Sequence, residues 1–226
     1  MSRTGKVVRP ALHFLASVLM TSGVLMLADA ALTVLWQEPV SALIAARQQG
    51  GLDDELRDAR AELGEAGPGL TAAQARRRIR RLAGDWADEV GKGDAFGRIE
   101  LPKLDRDYAV VEGTDLRTLR AGPGHYPKTP LPGQGGTIAV AGHRTTYGAP
   151  FRTIDKLDPG DEIVMDMPYG KLTYVVEKRQ IVPPTALWIT DRVPGRERLV
   201  LSACHPLYSA AKRIVVFARL KDATPV

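Results

Sequence analysis

Cys204 is the single cysteine of this 226-residue chain. It closes the β-branched run RLVLSAC, and nine residues later Arg213 opens another, KRIVVFARL. His143 closes a third, TIAVAGH. A thiol, an imidazole and a guanidinium suffice for acyl transfer through a thioester. The thiolate attacks a carbonyl carbon, and its ordinary pKa of about 8.5 falls beside a cation. An imidazolium can stabilise that thiolate and then donate a proton to the leaving amine. A guanidinium is always charged and offers its donors in a fixed fork to a developing oxyanion. Spacing alone does not bring the three together. His143 could cap a strand end, and Arg213 could be one surface arginine among many. His205 rivals His143 as the base, but a strand neighbour of Cys204 points to the opposite side of the sheet. His13 falls in an apolar N-terminal run, and His125, in AGPGHYP, reads as a loop residue.

The elements that must position these groups begin with export. Arg3, Lys6 and Arg9 precede ALHFLASVLMTSGVLMLA, an apolar run over residues 11–28 that resumes after Asp29 and ends at Trp36. Eighteen residues at the helical rise reach about 27 Å, enough for a bilayer core. Basic residues before the run and none soon after it predict a cytoplasmic N-terminus, with the rest of the chain outside and Trp36 at the outer interface. The competing reading is a cleaved signal peptide, since Ala28-Asp29-Ala30 resembles a small-x-small site. The run is long for such a peptide, and apolar residues continue past the cut. An exported chain with one cysteine forms no internal disulfide. Its thiol is therefore either a small buried residue or one kept for chemistry.

Residues 37–97 read as a helical stalk. Leu52, Leu56, Ala59 and Leu63 recur at helical spacing, and the stretch Gly64 to Gly69 breaks the pattern. Thr71 with Gln74 makes a capping box. Ala72, Ala75, Ile79, Leu82, Trp86 and Val90 then form one apolar stripe, which Gly91 is placed to end. Arg76, Arg77, Arg78, Arg80 and Arg81 occupy the other faces. They read as a solvated surface, with contact to anionic lipid or wall polymer as the sharper alternative.

From residue 98 the pattern changes to short β-branched runs separated by Gly, Pro and Asp signals. Seven or eight strands in this length predict a mostly β barrel or sandwich. DLRTLRAG and APFRTIDKL read as helical turns between strands. The net charge of +5 comes from this part: residues 1–97 hold 12 basic and 12 acidic residues, and residues 98–226 hold 19 and 14. The basic residues are scattered rather than interleaved with aromatics, which argues against nucleic-acid binding. With no convincing carboxylate cluster, neither a metal nor a cofactor is expected.

Two segments carry a family resemblance. AGHRTTYGAPFRTIDKLDPGDEI resembles the histidine segment of sortases, in which GH ends a strand, a short PF-containing helix follows and a turn ending in GD opens the next strand. LVLSACHPLYSAAKRIVVFARL resembles the sortase signature, in which TLxTC closes one strand and an arginine opens the next. CHP after the strand, the nine-residue step to arginine and the tyrosine after GHRTT are most similar to class E sortases. The resemblance covers about residues 98–222. It implies a closed eight-stranded β-barrel behind a membrane anchor (residues 11–36, after a basic cytoplasmic tail, 1–10) and the stalk, with residues 98–226 as the catalytic domain.

It also implies a transpeptidase that cuts a C-terminal sorting signal after its threonine and passes the protein to an amino group of a cell-wall precursor. Cys204 is then the nucleophile, His143 the acid and base, and Arg213 the oxyanion donor. Tyr147 is implied in the preference for LAxTG over LPxTG signals. The segment Val182 to Arg198 would cover the peptide, with Trp188 as an apolar face for its leucine. One departure stands out: Val200-Leu201-Ser202-Ala203-Cys204 has Ala203 where the family has threonine, so Ser202 and Ala203 bear on substrate choice. The implied partners are sorting-signal proteins, the precursor amine and the membrane. The alternatives are a pilin-polymerising sortase and a non-catalytic wall-peptide-binding barrel. GPGHYPKTPLPG is a weak candidate for the lid of the former, and a second span is not expected after KDATPV.

Overall fold

The computed structural model describes residues 4–36, 39–64 and 69–226, with the side chains of residues 4–10 and 32–40 left aside. The readings that rest on Arg3, on the side chains of Lys6, Arg9 and Trp36, and on residues 65–68 lie outside the described residues. Two compact units divide the chain at residue 40. In the first, helix α1 (Thr4–Trp36) contains a 21-residue stretch, Ala11–Ala31, with a mean hydropathy of 1.9 and none of it buried by protein. At about 1.5 Å per residue this helix is long and apolar enough to cross a membrane.

The second unit is a closed barrel with two helices against it. Its strands are β1 (Ala95–Leu101), β2 (Arg106–Glu112), β3 (Gly124–His125), β4 (Thr137–Gly142), β5 (Glu162–Met167), β6 (Gly170–Val182), β7 (Arg198–His205) and β8 (Lys212–Pro225). Their order around the barrel is β1-β2-β3-β4-β7-β8-β6-β5, and β5 pairs back to β1. Only β2–β3 and β4–β7 are parallel pairs. The eight strands bear out the barrel expected from the resemblance. Alternation decides which residues fill it: Ile138 and Val140 of β4, Leu199, Leu201 and Ala203 of β7, and Ile214 and Val216 of β8 share one core.

Pro102 cannot donate to a ladder, so β1 stops at Leu101, and Pro102–Leu104 form a 3-10 turn closed by left-handed Asp105. β8 runs to Pro225, past the apolar run that marked it in sequence, because its charged end pairs with the start of β6. His125 is a correction: it lies in β3, 1% exposed, rather than in a loop. Its Nδ1 is 2.6 Å from a Glu112 carboxylate oxygen and its ring stacks on Phe96 at 4.3 Å. The GPGHYPKTPLPG stretch therefore supplies a strand and core residue Leu131, and is part of the wall.

Helices α2 (Pro39–Leu63) and α3 (Ala72–Glu89) pack on the barrel. The capping box of α3 forms as read, with Gln74 N donating to Thr71 Oγ1 and Thr71 N to Gln74 Oε1. Its buried stripe, Ala75, Ile79, Leu82 and Ala83, includes three members of the barrel core, and Trp86 Nε1 donates to Phe96 O at 3.0 Å. Leu52 and Leu56 of α2 pack on Ala95, Ala109 and Val111, each burial stabilising by about 1.5–3 kcal/mol. The Gln49 amide accepts from Ala109 N at 2.7 Å and donates to Ala109 O and Ala121 O. Arg60 reaches the Asp166 carboxylate and Met167 O.

Candidate active site

Register places the chemistry-bearing residues. Cys204 pairs directly with Arg213 across the antiparallel β7–β8 ladder, so both side chains leave the same face. On the other side of β7, Ala139 pairs with Val200, Ala141 with Ser202 and Gly142 with Ala203 in parallel register. Cys204 follows Ala203 on β7, and His143 directly follows Gly142, the last residue of β4. On the outer face this makes two full rows, Ala139, Val200 and Phe217, then Ala141, Ser202 and Val215; beyond them Cys204 pairs with Arg213, with His143 just past the end of the neighbouring strand. The lower rows are sealed by Val182, Ala186 and Ile189 of the segment after β6. Cys204 stays partly open, at a cavity of about 340 Å³ lined by Arg144, Thr145, Cys204 and residues of the β7–β8 loop; His143 and Arg213 do not line it.

His143 is half-buried. Burial holds its imidazole below the ordinary histidine range, so the ring is neutral near pH 7. Its Nε2 is buried without a hydrogen-bond partner among the described residues. A neutral imidazole with an unengaged nitrogen can accept a proton, so this ring fits a base better than a standing imidazolium beside the thiol. The Arg213 guanidinium donates through Nη1 to Ala210 O and Lys212 O, both at 3.0 Å, and its other N–H groups are not used by these two bonds.

The expected substrate residues are spread over different places. The Tyr147 ring lies 5.3 Å from that of His143, with the Arg120 guanidinium 5.7 Å above it. Tyr147, Gly148 and Ala149 all have left-handed φ, of 51°, 74° and 44°. Each non-glycine in that region costs about 1–2 kcal/mol. Ser41 of α2 accepts from Tyr147 N at 3.3 Å, Tyr108 OH donates to Gly148 O and Ala149 N donates to Thr146 O, which together hold the turn. Ser202 is one row below Cys204 and buried. Trp188 is half-exposed and stacks on Phe217 at 6.1 Å, two rows or about 13 Å down the strand from Cys204. Ala203 points the other way, into the barrel.

Arg144 was not singled out by its sequence, yet it is buried at 4% exposure against this site. Its guanidinium donates to Arg152 O at 2.9 Å and Asp155 Oδ1 at 2.6 Å, and reaches Cys204 O at 3.5 Å and His205 Nδ1 at 3.4 Å. It staples the segment after His143 to the end of β7. Because a guanidinium only donates, Nδ1 of His205 is the acceptor and the proton sits on Nε2. His205 thus lies on the Arg144 side, as strand alternation requires. The only sequence signal was an arginine eleven residues before Asp155, too common to notice. Among the described residues no group of three or more His, Cys, Asp or Glu side chains is placed to hold a metal.

A closed eight-stranded barrel with a single cysteine near a strand end, paired across the ladder with an arginine, defines the class of fold to compare. Residues 99–221 match the Sortase domain family, and the chain belongs to the sortase family. It is 34% identical over 130 residues to sortase D of Bacillus subtilis, covering 56% of this chain and 64% of that one. It is 31% identical over 176 residues to sortase SrtE1 of Streptomyces coelicolor, covering 68% of this chain and 49% of that one. The chain thus spans less than two thirds of either relative's length. Among solved structures it resembles sortase E from Streptomyces avermitilis (36% identity, TM-score 0.56, covering 60% of this chain and 93% of that one). Sortase E1 from S. coelicolor with a tripeptide in its active site gives 28% identity and a TM-score of 0.57, covering 60% of this chain and 93% of that one.

Proposed function

We propose that the protein is a membrane-anchored cysteine transpeptidase acting on a C-terminal sorting signal of the LAxTG or LPxTG type. The observation that carries this reading is the direct Cys204–Arg213 pair at the end of β7, with His143 directly after the end of β4, the strand beside it. The Cys204 thiol gives its proton to His143, and the sulfur attacks the carbonyl carbon after the threonine. The carbonyl electron pair moves to oxygen, where the Arg213 fork donates. Collapse breaks the C–N bond, and His143 returns the proton to the leaving amine. This leaves a thioester on Cys204. An amino group of a cell-wall precursor then attacks the thioester, and the thiolate departs to be reprotonated. Tyr147, held against His143, lies where the signal's second residue would be sensed. Trp188, half-exposed, offers an apolar face to the peptide's leucine, and Ser202, buried one row below Cys204, would act on substrate choice only through the packing beneath the thiol. Ala203, packed inside the barrel, would influence the groove only through the strands it supports.

The apolar helix supports an anchor of single-pass type with the N-terminus inside and the barrel outside. A short two-residue strand and core packing in the GPGHYPKTPLPG stretch favour wall anchoring over pilin polymerisation, since that stretch is not free to act as a lid.

The test is incubation of the full chain in detergent with LAxTG and LPxTG peptides and an amine, read by mass. Transfer product is expected from the wild type and none from Cys204→Ala, with the unfolding transition of the variant unchanged. Full transfer by Cys204→Ala would sink the assignment.

A further inference from the structure

The larger concavity of the second unit, about 740 Å³, lies at the other end of β7 and β8 from Cys204 and contains none of the residues of the candidate active site. Arg198 begins β7 at that end and Cys204 is six residues on, about 20 Å along the strand. Arg76, Arg77 and Arg80 of α3 form one wall. Arg192 and Arg196 come from the segment before β7, and Arg219 and Lys221 from β8. Against these seven cations the lining has two carboxylates, Glu197 and Asp222. Glu197 is already engaged, accepting from Gly133 N, Gly135 N and the Tyr174 hydroxyl. Arg196 and Arg219 share Glu177, and Lys221 pairs with Glu162. Among the described residues Arg76, Arg77, Arg80 and Arg192 have no acidic partner within ion-pair distance.

Helix stability does not explain this arrangement. A helix favours acids in its first turns and cations in its last. α3 does the reverse, with five arginines between residues 76 and 81, and Asp85, Asp88 and Glu89 at its end. Arg76 with Arg80, and Arg77 with Arg81, are like-charge pairs at i,i+4, each costing a few tenths of a kcal/mol. The cations are thus kept against the local electrostatics, and three of them are aimed into one groove. Leu220, partly exposed, also lines it, so the groove offers some carbon surface beside the charges.

We propose that this groove binds a linear phosphodiester polymer of the cell envelope, and so holds the barrel in the wall while the cysteine end stays free. A concave site walled on three sides takes a strand better than the plane of a bilayer, which could touch only its rim. Charges repeated along both walls match a ligand whose anions repeat. The proposal rests on the extracytoplasmic placement proposed above and not on the transpeptidase chemistry; polymer binding by the purified chain is read independently of both.

The experiment titrates the full chain, held in micelles of an uncharged detergent, with poly(glycerol phosphate). Inorganic phosphate and phosphatidylglycerol vesicles are the comparison probes. Polymer binding that weakens steeply with salt is expected. The triple variant Arg76→Ala, Arg80→Ala, Arg192→Ala should lose at least about tenfold in affinity, since each cation near an anionic ligand contributes appreciably. Its Cys204 alkylation rate should equal that of the wild type, which shows that the barrel remains folded. Polymer binding that the triple variant leaves unchanged would overturn the proposal. So would binding of the vesicles alone, or of inorganic phosphate as tightly as of the polymer.

Discussion

The two faces of the β4–β7–β8 sheet are built from alternate residues of the same three strands. Inward go Gly142, Ala203 and Ile214; outward, one residue along, go the paired Cys204 and Arg213, and His143 directly follows Gly142 at the end of β4. The inner face is packed to contact. A Cβ added at Gly142 would stand 2.5 Å from a Phe151 ring carbon. The outer face is left unfinished at its top row. There His143 Nε2 has no hydrogen-bond partner among the described residues, three residues near it are left-handed, and the cysteine is half-exposed. Stability and chemistry are thus separated by a strand's own alternation. The inner face fixes where the outer groups stand, and the outer groups keep the free valences that a reaction needs.

This separation can be broken from either side. On the outer face, Arg213→Lys keeps the charge and loses the fork. A fall in kcat of about 10²-fold is expected, the scale for removing an oxyanion donor, with the urea midpoint unchanged. Wild-type kcat in this variant would leave Arg213 a loop-bonding residue only, tied to Ala210 O and Lys212 O. On the inner face, Gly142→Ala should do the opposite. Three Phe151 ring atoms lie within 2.9 Å of the added carbon, and overpacking of this kind costs about 1–3 kcal/mol. Urea unfolding measures it. An unchanged midpoint would mean that the Phe151 ring yields freely and that the inner face is looser than its contacts suggest.

Much of this was legible beforehand because it repeats. The alternation of RLVLSAC and KRIVVFARL set the faces, the three-and-four stepping of Ala75, Ile79 and Leu82 set the helix stripe, and Thr71 with Gln74 set its start. What was not legible depends on single contacts between distant segments. β3 is two residues long, too short for any period, so His125 gave no sign of being buried against Phe96 and Glu112. Gln49, a polar residue on a helix that read as stalk, serves both backbone groups of Ala109 sixty residues away. Arg144 looked like any arginine beside a histidine. For Ala203 and Trp188 the sequence left the placement open: alternation turns the first into the barrel, and the second stacks on Phe217 two rows from Cys204.

The smallest effect separates the two faces by pH. In the unfolded chain the His143 imidazole takes a proton as the pH falls through about 6.5. In the folded chain its burial keeps it neutral to lower pH. The unfolded state therefore binds more protons in that window, so stability falls as the pH drops below about 6.5; well above it both states are neutral and the contribution is nil. His143→Ala removes this difference. Its loss of unfolding free energy between about pH 7.5 and pH 5.5 should be smaller than that of the wild type. Gly142→Ala acts through packing alone and should be destabilised equally at both values. If His143→Ala and wild type lose stability in parallel, the imidazole is not desolvated, and the outer row is open to water at the one ring that its proposed chemistry needs dry.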